Sequence, residues 1–451
     1  MNNLFSIPKM KIVVISGVIV AALAVVVIAV ACLNIEKDDN LPFDEEAQNV
    51  MATPIESESD TESETESETE SETEPEVEPI PYDEMGLLFE ATGSDSCTVA
   101  GIGTCTKTVI EIPEVSPDGL RVTSIATGAF EDCERLVQIG IPSSVRSIGV
   151  GAFRGCANIL SVIIPDGVTS IQFAAFAECE SLQEVVIPNS VQSIESAAFR
   201  GSSKIKKMSI PDGVDRISEY LFYECTGLQT VVLPDSISAI GESAFYACTN
   251  LSEITIPSGV TSIGSFAFFG CESITSLTIP NGVTVLEEHL FDNCYSLASV
   301  NLHQEIVRIC RNAFRNCYAL TDIQLPNGLT IIESYVFYRC KSLVEITIPQ
   351  TVTEIEYGAF EECEKLVSIE LPNGFTTFGE GAFAVCVALK TVYLPSTMQY
   401  FGRGTFDGCT SIDNIFFAGT KAQWDSITKE SGWDSSTPDF IIHCADGDIK
   451  K

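Results

Sequence analysis

Residues 251–273 read LSEITIPSGVTSIGSFAFFGCES, and Ile274 opens the same pattern again. The apolar side chains of this stretch fall at Leu251, Ile254, Ile256, Val260, Ile263, Phe268 and Cys271. Ile254 and Ile256 alternate with Thr255, which predicts a short strand with both isoleucines on one face. Pro257 ends that strand, because proline has no amide hydrogen to give to a ladder. A turn dipeptide follows, Ser258-Gly259 here and Asp166-Gly167, Asp212-Gly213, Asn281-Gly282, Asn327-Gly328 or Asn373-Gly374 in other copies. Glycine at that place is expected to supply a positive φ at little steric cost. The segment from Gly264 to Cys271 predicts one helical or 3₁₀ turn that brings the chain back.

Working outward, the unit recurs without a slip. Thirteen phenylalanines, from Phe130 to Phe406, stand 23 residues apart. A cysteine follows each after three residues, from Cys133 to Cys409, except that Ser202 follows Phe199. A strict period of this length means a stacked solenoid, because one unit cannot bury its own apolar face and a pile of them can. The fold class expected is therefore α/β: a curved solenoid with parallel strands on the concave face and short helical or 3₁₀ turns on the convex side. With strands about 4.8 Å apart, thirteen coils span roughly 60–65 Å.

The pattern AFxxCxxLxxIxIPxxVxxIG resembles the BspA-like bacterial leucine-rich repeat, a type also found in Treponema surface proteins. The likeness covers about residues 87–445. It implies a curved leucine-rich repeat solenoid. It also implies a cell-surface protein that binds other proteins, such as host matrix components or other bacteria.

The chain has 451 residues, 17 cysteines and a formal net charge of −38. Residues 1–11 contain Lys9 and Lys11 and no acid, and residues 12–33 are almost entirely Val, Ile, Ala and Leu. About 20 such residues in a helix reach roughly 30 Å, the thickness of a bilayer core. The lysines favour a cytoplasmic residue 1–11 segment and export of everything after residue 33. An uncleaved signal anchor, a lipoprotein signal ending at Ala31-Cys32 and a cleaved secretory signal all lead to that export. Residues 34–84 form an acidic Ser/Thr/Glu linker, with 17 acids and no Lys or Arg between Asp44 and Glu84. Such a segment repels itself and buries little, so it is expected to be extended and disordered, a stalk of at most roughly 140 Å.

Residues 85–125 read as the N-terminal cap, with two or three strands. Cys97 and Cys105 there lie outside the cysteine column and, in an exported protein, either pair as a small disulfide or pack as free thiols. Residues 126–417 are the repeats. One coil drifts: Leu302-His303-Gln304-Glu305 replaces the Ile-Pro-Asn-Gly pattern, and Cys310 takes a place usually held by Gly or Glu. Residues 418–451 break the period and read as a C-terminal cap, with a helix over about Lys421 to Lys429, Trp424 on its apolar side, and a final strand over Phe440–Cys444. This segment resembles the caps of BspA-like proteins from Gram-positive gut bacteria.

Cysteines 23 apart stand in adjacent coils, about 5 Å from each other and within disulfide range. Each can pair only once, and Ser202 keeps the period without sulfur. The reading is a column of buried free thiols acting as small hydrophobes. Zinc sites want CxxC-type chelates, and the chain has none. The three histidines are His289, His303 and His443. The first two stand in separate coils. His443 and Cys444 are neighbours on a strand and point to opposite faces, so they make a poor dyad. No phosphate loop, HExxH, GxSxG or dinucleotide fingerprint occurs. The reading is a non-catalytic chain without metal or cofactor, and its acidity argues against nucleic acid.

Binding is then expected on the strand face. The residue between the two buried strand positions points outward, running from Gly140 and Ile163 through Thr255 and Thr278 to Glu370, Tyr393 and Phe416. A flanking column carries Asp322 and Glu345 among others. Aromatic residues anchor interfaces, so a partner patch is expected at Tyr393 and Phe416 with Glu370, Glu345 and Asp322 around it. The alternative is that both rings pack against the C-terminal cap. Two functions follow: a surface-anchored monomeric solenoid that captures an extracellular protein or glycan, or a displayed rod that spaces the envelope and has no specific ligand.

Overall fold

The computed structural model describes residues 86–451. The apolar segment 12–33 and the acidic linker 34–84 lie outside the described residues. Among the described residues, no helix is long and apolar enough to cross a membrane.

Each 23-residue coil has three limbs. The first is the short strand read from the sequence, such as Lys207–Ser209 or Thr230–Val232. These two pair in parallel with a register of 23, Met208 beside Val231. The second limb is a two-residue strand, Ser170–Ile171 or Ser193–Ile194, which pairs with its counterpart one coil on. The third limb carries the phenylalanine. Parallel pairing on two limbs makes the body a parallel β-solenoid.

The third limb is not the helical or 3₁₀ turn expected from the sequence. In all thirteen coils the residues two before and two after the phenylalanine have positive φ, as in Ala174 (52°) and Glu178 (58°) around Phe176. A left-handed residue on each side of the ring stops any right-handed helix from forming. The amides alternate instead. Those of Ala174, Phe176 and Glu178 donate to Ser196, Ala198 and Arg200 of the next coil at 3.1, 2.8 and 2.6 Å. Those of Ala175 and Ala177 close turns onto Gln172 and Ala174. The limb is therefore a third inter-coil ladder, which satisfies backbone groups that a buried loop would leave orphaned.

A second expectation also fails. Of the six turn glycines named above, only Gly167 has positive φ, at 111°. Two of the others serve close approach, whereas Gly374 faces open space. A Cβ at Gly213 would lie 2.6 Å from the carbonyl oxygen of Val191, and one at Gly282 2.9 Å from that of Val260. Two hydroxyl residues at this place bond the facing carbonyl, Ser236 Oγ to Val214 O and Thr397 Oγ1 to Phe375 O, both at 2.7 Å.

The interior follows the sequence reading. All thirteen phenylalanines are fully buried. Their rings form one column, with neighbouring centroids from 5.0 Å (Phe360–Phe383) to 5.9 Å (Phe199–Phe222) apart and planes within 24° of each other. The offset that such distances imply suits the ring quadrupole, and each stacked pair contributes about 0.5–1.5 kcal/mol beyond its burial.

The cysteines beside them do more than fill space. Cys156 Sγ donates to Phe130 O at 3.1 Å, and Cys271 Sγ to Phe245 O at 3.2 Å. Ser202 Oγ makes the same bond to Phe176 O at 2.8 Å. All described cysteines are free thiols. Cys97 and Cys105 are buried here as two free thiols, the second of the two readings left open by the sequence. Cys97 donates to Leu120 O at 3.6 Å inside the strand Ser96–Gly101, whereas the carbonyl of Cys105 accepts from Arg135 at 3.2 Å.

The caps close both ends of the ladders. At the start, Leu88–Ala91 and Ser96–Gly101 form a hairpin, and the second of these begins the second-limb sheet by pairing with Arg121–Ile125. At the end, a six-residue helix spans Lys421–Ser426, capped by Thr420 and Gln423 in reciprocal hydrogen bonds, with Trp424 buried. It is shorter than the expected Lys421–Lys429, since Ile427 is extended and Thr428–Lys429 joins the second-limb sheet. Phe406 N donates to Trp433 O at 2.8 Å, and the Trp433 ring meets Phe406 edge-on at 6.1 Å. Trp433 thus stands where a fourteenth phenylalanine would be.

Candidate functional surface

The first-limb strands at the C-terminal end are Ser368–Glu370, Thr391–Leu394, Asn414–Phe417 and Ile441–Cys444. Their register sets Glu370 beside Tyr393, Tyr393 beside Phe416, and Phe416 beside His443. The residues between them in sequence, Val392, Leu394, Ile415 and Phe417, are buried. Period-two alternation therefore turns the Glu–Tyr–Phe–His row outward.

The three rings of this row stack. Tyr393 and Phe416 have centroids 5.0 Å apart and planes 12° apart. Phe416 and His443 are 4.6 Å and 18° apart. Tyr393 is still 43% exposed and Phe416 38%. The two alternatives left by the sequence thus combine: Phe416 does pack on the cap, through His443, yet both rings keep their outer edges in solvent. The imidazole is fixed from both sides, with Nδ1 2.9 Å from Asp448 Oδ1 and Nε2 3.0 Å from Asn414 Oδ1. His443 was missed as a member of the row, although Ile441-Ile442-His443-Cys444 copies the pattern of Asn414-Ile415-Phe416-Phe417.

The other two residues named from the sequence are not brought into this cluster. Glu345 and Asp322 are exposed but lie in the flanking column, one and two coils before Ser368. No strand forms at 322–324 or 345–347. There the inter-coil bonds lengthen, with Thr321 N to Ala298 O at 3.4 Å and Val344 N to Thr321 O at 3.2 Å. The drifted coil, in contrast, keeps its place: Arg308–Ile309 pairs in register with Val285–Leu286, and His303 Nε2 is held 2.9 Å from Val283 O.

Among the described residues, the column thiols and the His289 imidazole are engaged inside the coils. Desolvation pushes the Cys156 thiol up to about 12, and the fully buried column thiols are raised as well, so they stay protonated and inert. His289 Nδ1 lies 2.9 Å from the buried carboxylate of Asp292, a pair that sequence spacing did not reveal. Its Nε2 is 3.1 Å from Asn312 Nδ2, so the imidazole is occupied on both sides, and Arg315 is 3.6 Å from the same carboxylate. Among the described residues, no three His, Cys, Asp or Glu side chains converge in a way that could hold a metal ion.

Comparison with known proteins agrees with the coil geometry. The model of the BspA type leucine rich repeat region (6 copies) matches residues 105–229, 215–341 and 307–427. A leucine-rich repeat protein from Bacteroides ovatus is 26% identical, with a TM-score of 0.65, over 80% of this chain and 99% of that one. A leucine rich cell surface protein from Faecalibacterium prausnitzii is 29% identical, with a TM-score of 0.50, over 78% of this chain and 99% of that one. No functionally curated protein matches. With three overlapping matches that span residues 105–427, the chain belongs to the BspA-type leucine-rich repeat family.

Proposed function

We propose that this chain is a non-catalytic surface protein that captures an extracellular protein through the outward row Glu370–Tyr393–Phe416–His443. The observation that carries the reading is the exposed aromatic stack at the C-terminal end of a strand face that is polar through its middle coils, at Thr255, Thr278, Asn301, Gln324 and Thr347, and aliphatic nearer its start, at Ile163, Val186 and Val232. Large aromatics held in one conformation lose little entropy on binding, which is why they dominate interface anchors. Glu370, beside Tyr393, adds an acidic contact, with Glu345 and Asp322 further out on the same side.

The stacking also favours a protein over a glycan. A sugar needs an open ring face. Here both faces of Phe416 are covered by Tyr393 and His443, and one face of Tyr393 by Phe416. What remains is ring edge and the single unstacked face of Tyr393 beside Glu370, which suits side chains and backbone of a protein partner.

Surface location is part of the same proposal. The apolar residues 12–33 behind Lys9 and Lys11 support membrane insertion with the repeats outside, or lipid attachment at Cys32. The Faecalibacterium relative is described as a cell surface protein, which supports this placement. The test is retention of beads coated with the full chain on layers of extracellular-matrix protein, before and after enzymatic removal of their glycans. Equal retention on both layers supports protein recognition. Loss after glycan removal overturns it, and no retention on any layer favours the plain rod.

A further inference from the structure

We propose that the second limb carries a binding trough for an extended cationic peptide segment, separate from the aromatic row and independent of it. The trough lies between the coils of Glu195 and Glu287 and is an open hollow of about 620 Å³. That volume falls within the range of about 300–1,000 Å³ typical of ligand sites. Its floor is the three-stranded sheet of Arg216–Ile217, Ala239–Ile240 and Ser262–Ile263.

The sequence builds this hollow. The place after the second-limb isoleucine holds Glu195 and, at the far end, Glu287 follows Leu286 in the same slot. Between them it holds Ser218, Gly241 and Gly264. The glycines are needed there, since a Cβ on either would lie 2.6 Å from a backbone nitrogen of the preceding coil. Four coil spacings of about 4.8 Å give a length of roughly 19 Å, enough for five or six extended residues.

Charge identifies the occupant. Glu195 is held by the amide of Phe173 at 2.9 Å, Glu219 by Ser196 Oγ at 2.9 Å and Glu242 by the Tyr220 hydroxyl at 3.2 Å. Each carboxylate is positioned by a neutral donor, and neither these three nor Glu287 forms an ion pair with a described residue. The basic side chain in the lining, Arg216, is turned to Asp215 at 3.4 Å. Fixed carboxylates along a concave wall focus a negative potential, which attracts an extended cation. They do not converge into a metal cage. A second copy would present the same negative wall and be repelled.

The test uses the full chain and a fluorescent Lys-Ser-Lys-Ser-Lys-Ser peptide, read by anisotropy at about 150 mM salt, where long-range attraction is screened. The Glu-Ser counterpart should not bind. Two variants probe the trough: Glu219→Gln with Glu242→Gln removes charge, and Ala239→Phe fills the floor while leaving the charge intact. Each should weaken binding about tenfold or more, with the thermal midpoint reporting that the fold survives. The strand-face pair Glu345→Gln with Glu370→Gln should leave binding within about twofold. If the trough variants bind as the parent does, or the strand-face pair weakens binding equally, the peptide is held by overall acidity and the proposal is wrong. Failure here leaves the aromatic-row reading untouched, because that row is not altered by the trough variants.

Discussion

The thiol of Cys248 donates a 3.1 Å hydrogen bond to the carbonyl oxygen of Phe222, one coil back. The same oxygen accepts the amide of Cys225 at 3.0 Å, so both of its acceptor sites are filled. Repeated along the stack, this relationship makes the cysteine a polar connector between coils as well as a small buried hydrophobe. Ser202, whose hydroxyl bonds Phe176 O at 2.8 Å, shows which property the place demands.

The donor can therefore be exchanged but not removed. Cys248→Ser should keep the denaturation midpoint close to that of the parent, within about 1 kcal/mol. Cys248→Val, similar in size and apolar, withdraws the second donor from a carbonyl that keeps the Cys225 amide and should cost about 0.5–1.5 kcal/mol more than serine. The midpoints of the two variants in urea decide the matter. Valine equal to or better than serine would mean that the column is only packing.

The same burial predicts alkaline weakness. Cys156 is pushed up to about 12, Cys310 to about 11, and Cys179, Cys248 and Cys271 are raised too, desolvation being the largest cause throughout. An unfolded thiol titrates near 8.5. Above that pH the unfolded chain releases protons that the folded chain retains, so the stabilisation is complete below about pH 8.5 and falls as pH rises. The thermal midpoint should drop from pH 8 to 11. It should drop less steeply in a chain carrying Cys248→Ser, Cys271→Ser and Cys294→Ser. Parallel slopes would contradict the account.

Left-handed places on the third limb offer a gain. Val385 has φ of 59°, a conformation that a β-branched residue rarely adopts, and its side chain is exposed. Val385→Asn should stabilise by about 0.5–1 kcal/mol, because asparagine tolerates that region. Differential scanning calorimetry would show the midpoint rise. An unchanged or lower midpoint would mean that Val385 makes a contact worth more than its strain.

These three cases mark what the sequence could show. The 23-residue period, the buried phenylalanines and the outward row were legible because each rests on spacing alone. The third-limb ladder was not. Its left-handed places are enriched in Gly and Asn, as at Gly151, Gly155, Asn312 and Asn316, but also hold Ala174, Glu178, Tyr335 and Val385, so no single coil shows the pattern. Hydrogen bonds to the next coil set that conformation, against local preference. The second strand escaped because Ser193–Ile194 is too short to display alternation. His443 escaped because the cap breaks the period just before it.

On the strand face, Tyr393→Ser with Phe416→Ser should leave the stack folded, since the substituted side chains lie outside the Phe column, and should weaken adhesion. The most direct check is equilibrium binding of the full chain to an extracellular-matrix protein layer, compared between the parent, this double variant and a control pair, Thr255→Ala with Thr278→Ala, on the same face. The account predicts a loss of about tenfold or more for Tyr393 and Phe416 and none for the threonines. Equal binding by all three would contradict it and leave a surface rod without a recognition site.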